Sequence, residues 1–343
     1  MNKISPIAVR KIFRRRYLVG TLALLALACG TIATGVVQAQ KAKGSRTIRL
    51  LTREGKVLEG RLAAGNFTLN GTALRDTLLS INLAADASPR EAERITAALA
   101  AVQGTDRAGR DTAAAELTDI GLPALTPVLN AYKDRDLREP DALYRLFARL
   151  MPGYADAADR SLDLIRLKNG DVMRGHVGVD SLTIQSSGNA EIKVALSELR
   201  SLAMLQPMIE KSFDVHSLRH CTQIEFLDTG VVISPQSRVE VTAAGFVRLS
   251  FAIDGWASDP DGLKVPGPNY KTNLVDGFPF GALVGKAGAS GARFIVGRHL
   301  DKNGLGEGRL YLAVNDNGHW QNNIGSFRVK LRVSDAYDLG DAQ

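Results

Sequence analysis

The residues best suited to chemistry lie between Gly308 and Lys330. Asp316 stands there between Asn315 and Asn317, and the pair Asn322-Asn323 follows closely. One carboxylate and several amides in a short loop supply the hard oxygen ligands by which calcium is held. The same residue types also build turns, because Asn, Asp and Gly enter left-handed backbone and bond to their own main chain. Residue type alone leaves both readings open. The flanks are clearer. Leu310, Leu312 and Val314 alternate with Tyr311 and Ala313 before the loop, and Phe327, Val329 and Leu331 alternate after it. That period of two predicts a strand on each side, each with one buried face.

Other chemistry is thinly represented. Among the 5 histidines, only His216 and His220 have a zinc-like spacing. Ser217 stands where a helical zinc protease would need Glu, and two His at that spacing share a face only on a helix. Neither a GxSxG elbow nor a P-loop is present. The 2 cysteines are Cys29 and Cys221. Cys29 lies in an apolar N-terminal run, which leaves Cys221 alone in the body, so no internal disulfide or zinc framework can form there. Cys221 is expected to be a small buried hydrophobe. No catalytic constellation emerges, and the chain is expected not to be an enzyme.

The elements that must position the loop begin after a basic leader. The chain carries a net charge of +7, but residues 1–40 hold six basic residues and no acidic ones. The body is therefore near neutral and lacks the field that attracts nucleic acid. Arg14-Arg15-Arg16 precede the apolar run Tyr17–Val37. A charged start, an apolar core and Ala39 at a small-residue cut site describe an export signal. The run is also long enough to anchor in a bilayer uncleaved. Either reading places the body in the periplasm or outside the cell, with the anchored form held at the inner membrane.

Two stretches of the body repeat. Residues 48–69 and 164–184 align with Gly55 on Gly170, Gly60 on Gly175 and Thr68 on Thr183. Each reads as strand, tight turn, strand, link, strand, with Glu54-Gly55 and Asn169-Gly170 as the turns. The unit resembles small SH3-like or Sm-like β modules. So small a piece has little core of its own, so the copies are expected to pair or to lean on the helical segment. That segment lies between them. Ser88-Pro89-Arg90-Glu91 is a capping box with Pro at the first helical position. A second helix is expected over Asp106–Ile120, stopped by Gly121. A third follows Pro123, and a fourth covers Ala142–Met151. The region resembles a HEAT-type helix pair.

From about Phe213, short strands alternate with turns. They are expected at Ile224–Phe226, Val231–Ile233, Val239–Val241, Val247–Leu249, Ala282–Val284, Phe294–Val296, Tyr311–Val314 and Phe327–Val333. That spacing predicts a β-sandwich of jelly-roll kind. Four blocks in this region carry a more specific likeness: Thr229–Phe246, Gly281–Lys286, Leu310–Asp316 and Asn322–Phe327. Together they resemble the PA-I type calcium-dependent galactophilic lectins, over about residues 215–335. The resemblance implies calcium held by the side chains of Asp316, Asn322 and Asn323 and by the carbonyl of Leu249. His319 falls nearest a second carbonyl position, in a loop one residue shorter than the family's. The family's sugar-gripping His and Gln have no counterpart, since residues 250–280 contain neither. The resemblance leaves sugar contacts to Asp316, Asn322, Trp320 and Asp261. Asp261 lies in Asp259-Pro260-Asp261-Gly262, which is also a common turn sequence.

The chain is thus expected to be mainly β with a helical insert. Residues 1–40 form a signal peptide or membrane anchor, 41–83 a first small β unit, 84–158 a HEAT-like insert, 159–206 a second small β unit, and 207–343 a lectin-like jelly-roll sandwich. The expected function is carbohydrate binding with calcium as cofactor; the resemblance implies a galactose-type sugar, although the missing His and Gln leave the sugar open. The alternative is a non-catalytic structural protein of the cell envelope, with a degenerate lectin-like domain and envelope proteins as partners.

Overall fold

The computed structural model describes residues 47–343, except 65–67, 70–71, 75–76, 85, 134–142, 144–145, 148–149, 151–161, 223–224, 250–255, 264–276, 317–321 and 341–343. The signal peptide or membrane anchor expected over residues 1–40 lies outside the described residues. Among those described, no helix is long and apolar enough to cross a membrane. The chain is mainly β, with strands in a large antiparallel assembly.

Strands β1 (Thr47–Thr52) and β2 (Val57–Ala64) form the first hairpin. Gly55 supplies the positive φ that its turn requires, at 83°. β3 (Thr68–Leu69) and β4 (Thr72–Ala73) make a small pair, and β5 (Leu78–Asn82) follows. After the helices come β6 (Asp163–Leu167) and β7 (Val172–Gly175), a hairpin turning at Gly170 with φ 89°. β8 (Ser181–Gln185) and β9 (Glu191–Ala195) pair with each other. The two copies pair as expected, and they do so by interleaving. β2 lies against β8 with Leu62 opposite Ile184, and β5 lies against β6 with Ile81 opposite Ile165. Neither copy keeps a private interior, and both contribute to one core around Ile48, Leu50, Leu78, Leu182 and Leu202.

Helices α1 (Pro89–Val102), α2 (Arg107–Ile120) and α3 (Leu122–Tyr132) form the insert. Ser88 and Glu91 make both bonds of the capping box. Asp106 caps α2 by accepting from the Gly109 N–H at 3.0 Å. Ile95, Val102, Leu117, Leu125 and Val128 share a core with Leu143, Leu146 and Leu150 of the expected fourth helix.

β10 (Leu199–His216) joins the two halves of the body. Its first part pairs with β1 and β5, and from Leu205 onward it pairs with the last strand. One strand therefore runs unbroken through residue 206. The remaining strands are β11 (Leu227–Ile233), β12 (Arg238–Arg248), β13 (Ala257–Ser258), β14 (Leu283–Ala287), β15 (Arg293–Ile295), β16 (His299–Asn303), β17 (Gly308–Val314) and β18 (Ile324–Asp338). The order β16-β12-β18-β10 makes one sheet, and β15-β14-β17-β11 makes a second, stitched to the first where β11 meets the end of β18. Along β18, buried Phe327, Val329, Leu331 and Val333 alternate with exposed neighbours. They meet Leu283, Leu310, Leu312 and Val314 of the other sheet in one apolar core. Each such side chain contributes about 1.5–3 kcal/mol by leaving water.

Two strand expectations need correction. Val239–Val241 and Val247–Leu249 are not separate strands; residues through Arg248 form the single strand β12. Glu225 and Phe226 lie outside any strand. Phe226 is buried instead against Val284, Tyr311 and Ala313, so its apolar character serves packing and no ladder.

Candidate functional site

β17 delivers Asn315 and Asp316 to one end of the sandwich. Asn315 is fully buried and acts as a clamp. Its Nδ2 donates to the carbonyls of Phe278 at 3.2 Å and Pro279 at 3.0 Å, and its backbone pairs with Gly281 and Ala282. Asp316 is held by Thr222, whose hydroxyl accepts from the Asp316 N–H at 3.0 Å and lies 3.2 Å from its carbonyl. These bonds fix the main chain, so the carboxylate has a set position although it is only 1% exposed.

Asn323 arrives from the start of β18 and is 2% exposed. Its Nδ2 donates to the Asp316 carboxylate and, at 3.1 Å, to the Ser217 carbonyl. Ser217 is held in turn, because its N–H and hydroxyl donate to the Gly325 carbonyl at 3.1 and 3.0 Å. Gly325 takes a φ of 90°, and a Cβ there would stand 2.6 Å from the Phe246 carbonyl. The turn into β18 therefore depends on glycine. The last pair of the β12–β18 ladder is Arg248 with Ile324, so Leu249 and Asn323 are the next residues on the two strands. Leu249 buries its side chain in the core, and its N–H donates to the Trp256 carbonyl at 3.0 Å.

The fold thus brings Asp316, Asn323 and Leu249 to three adjoining strand ends. Asn322 lies beside them and is half-buried. His319 and Trp320 lie outside the described residues. Asp261 is turned to another task. Its carboxylate accepts from the Arg298 backbone at 2.8 Å and pairs with the Arg298 Nε at 3.1 Å, while Asp259 takes the other arm of the guanidinium. The Asp261 N–H donates to Asp259 Oδ1 at 2.9 Å, so the Asp259–Gly262 stretch is an Asx-type turn locked by Arg298. Sequence reasoning missed Ser217 and Thr222, which lie 106 and 94 residues from their partners Asn323 and Asp316 with no local pattern to mark them.

One atom of the site stands out. Asn323 Oδ1 is buried and has no hydrogen-bond partner among the described residues. A buried acceptor left unmade costs about 1–3 kcal/mol. Rotating the amide by 180° exchanges Oδ1 and Nδ2. Oδ1 would then face the Asp316 carboxylate, an arrangement that needs a cation between the oxygens. The donor set, one carboxylate with amide and carbonyl oxygens, fits a hard divalent ion such as calcium. His216 and His220 form no comparable centre. Their rings stand 6.1 Å apart, and the His216 N–H donates to His220 Nδ1 at 3.3 Å. Cys221 is fully buried in the sandwich core.

No protein-family model matches the chain, and no curated protein matches it. Among solved structures it is similar to the N-terminal domain of EclA, described as a PllA-like lectin. That match has 23% identity and a TM-score of 0.28, and covers 36% of this chain and 96% of the other.

Proposed function

We propose that this protein is an exported, non-catalytic carbohydrate-binding protein whose C-terminal jelly-roll sandwich is lectin-like and binds calcium at the Asp316–Asn323 loop. The observation that carries this reading is the buried Asp316–Asn323 pair, a carboxylate and an amide held together at the strand ends where Leu249 also arrives. Asp316 and Asn323, with Asn322 and the Leu249 carbonyl, would hold the ion. A bound calcium would supply coordination to sugar hydroxyls, with Trp320 as a stacking face. Asp261, committed to Arg298, has no part in sugar binding in this proposal.

A second reading has its own support. The Asn323 amide already donates into Asp316, which closes the loop without an ion. In that case the sandwich is a degenerate lectin-like domain that binds envelope proteins. A glycan array probed with the protein in calcium and in chelator separates the two. Retention on galactose-type or other glycans that chelator abolishes supports the first. No retention on any glycan, together with capture of a defined envelope protein, overturns it.

A further inference from the structure

A second polar site lies far from the loop in sequence, where the β body, the helical insert and the sandwich meet. A cavity of about 240 Å³ opens there. Five guanidiniums line it, from Arg49, Arg53, Arg94, Arg200 and Arg309, against the carboxylates of Glu91 and Asp119. Three of the five have close carboxylate partners. Arg200 is paired with Glu91, and Arg309 bonds Asp119 at 2.9 Å and buried Asp228 at 3.0 Å. Arg94 meets Glu116 at 2.9 Å on a half-exposed edge. Arg49 has only looser carboxylate contacts, at 3.6 Å to Glu59 and 3.5 Å to Glu307.

Arg53 differs from the rest. Its Nη2 donates to the Asp86 carbonyl at 2.8 Å, but its Nε is buried without a partner among the described residues. The positive charges also crowd one another. Burial lowers the Arg200 guanidinium below its usual value; Glu91 opposes this, and the charges of Arg53 and Arg94 lower it further. The amino end of α3 joins the same wall. Gly121 and Leu122 line the cavity, and that helix has no side-chain cap. Pro123 has no N–H and the Ala124 N–H donates to the Gly121 carbonyl at 2.9 Å, so this helix start offers an anion its dipole rather than a row of free N–H groups. Leu51, Val57 and Ile120 supply apolar lining.

We propose that this cavity is an anion site for the phosphate group of a small phosphorylated molecule, with Arg53 as its main contact and Arg94 and the start of α3 beside it. A planar guanidinium at the cavity wall whose buried Nε lacks a partner suits contact to a phosphate. The volume exceeds what a bare phosphate needs and leaves room for a short polyol, whose hydroxyls Asp119 can accept.

The test is a calorimetric and thermal titration of the full-length protein. The probes are inorganic phosphate, a hexose phosphate, the unphosphorylated hexose, and sodium chloride at matched ionic strength. The expected result is saturable binding of the hexose phosphate, tighter than phosphate, with no response to hexose or chloride. Arg53→Gln should weaken it at least tenfold. Arg94→Gln, at a half-exposed position, gives a second reading if Arg53→Gln does not fold, and should weaken binding several-fold. No binding of either phosphate at about 10 mM, where even a millimolar site would shift the midpoint, overturns the proposal. So does equal binding by wild type and the foldable variants.

Discussion

Glu91, in the first turn of α1, and Arg200, near the start of β10, form an ion pair in which each side chain is only 3% exposed. Ser88 shares the same carboxylate through the capping box, so a single acid both starts a helix and ties that helix to the β body. Removing one partner of a buried pair strands the other charge and costs about 3–5 kcal/mol. Arg200→Ala is therefore expected to lose about that much in urea unfolding. Arg200→Ala and Glu91→Ala should be far from additive when combined, and additivity would show that the two residues do not act together.

The same pair sets a pH response. Burial alone would raise the Glu91 carboxyl, but hydrogen bonds from Arg200 and Ser88 outweigh it and hold the group below its ordinary 4.5. A carboxylate lowered by folding contributes fully above its unfolded pKa, and the contribution is lost as pH falls through the folded value. Wild-type stability should therefore drop as pH falls below about 4.5. Glu91→Gln should start less stable at pH 7 and lose less over that span. Parallel pH curves for the two proteins would contradict this.

Lys286 pins the helical insert to the sandwich. Its buried Nζ pairs with Asp111 at 2.5 Å and lies 4.7 Å from the Phe226 ring centre and 5.2 Å from that of Tyr311. Asp111→Ala leaves a buried ammonium without its counter-charge and should cost about 3 kcal/mol. Lys286→Met keeps the packing without the charge and should cost clearly less. Denaturant midpoints of the two variants, compared with wild type, check the order.

Gly325 is the hinge on which Asn323 is placed. Gly325→Ala forces a side chain into left-handed backbone and against the Phe246 carbonyl. A loss of about 1–3 kcal/mol is expected, together with weakened calcium response in a protein that remains folded. A variant that matches wild type in both would show that the strand start does not govern the loop.

Much of this architecture was legible in local sequence, because its determinants are local. Gly55 and Gly170 mark turns that need a positive φ, Ser88 with Glu91 writes a helix start, and the alternation in β17 and β18 faces one core. Pairing was less legible. That the repeats would associate followed from their small size, but not that β2 would take β8, because register is decided by distant partners. The long strand β10 was not expected, because the boundary expected between residues 206 and 207 falls inside it, where its ladder to β18 continues from Gln206 to Met208. At the site, Asp316 and Asn323 stood out by type. Ser217 and Thr222, which hold them, did not, and Asp261 proved to be engaged by Arg298.

The central claim is that Asp316 and Asn323 hold calcium, and thermal unfolding of residues 41–343 with and without calcium tests it most directly. A ligand at a hundred times its Kd adds about 2.7 kcal/mol to a fold that alone binds it. Such a gain raises the midpoint by several degrees in a body of this size. The account predicts that rise with millimolar calcium, its reversal by chelator, and its absence in Asp316→Ala and Asn323→Leu. An unchanged wild-type midpoint in millimolar calcium, or an equal rise in both variants, would contradict it.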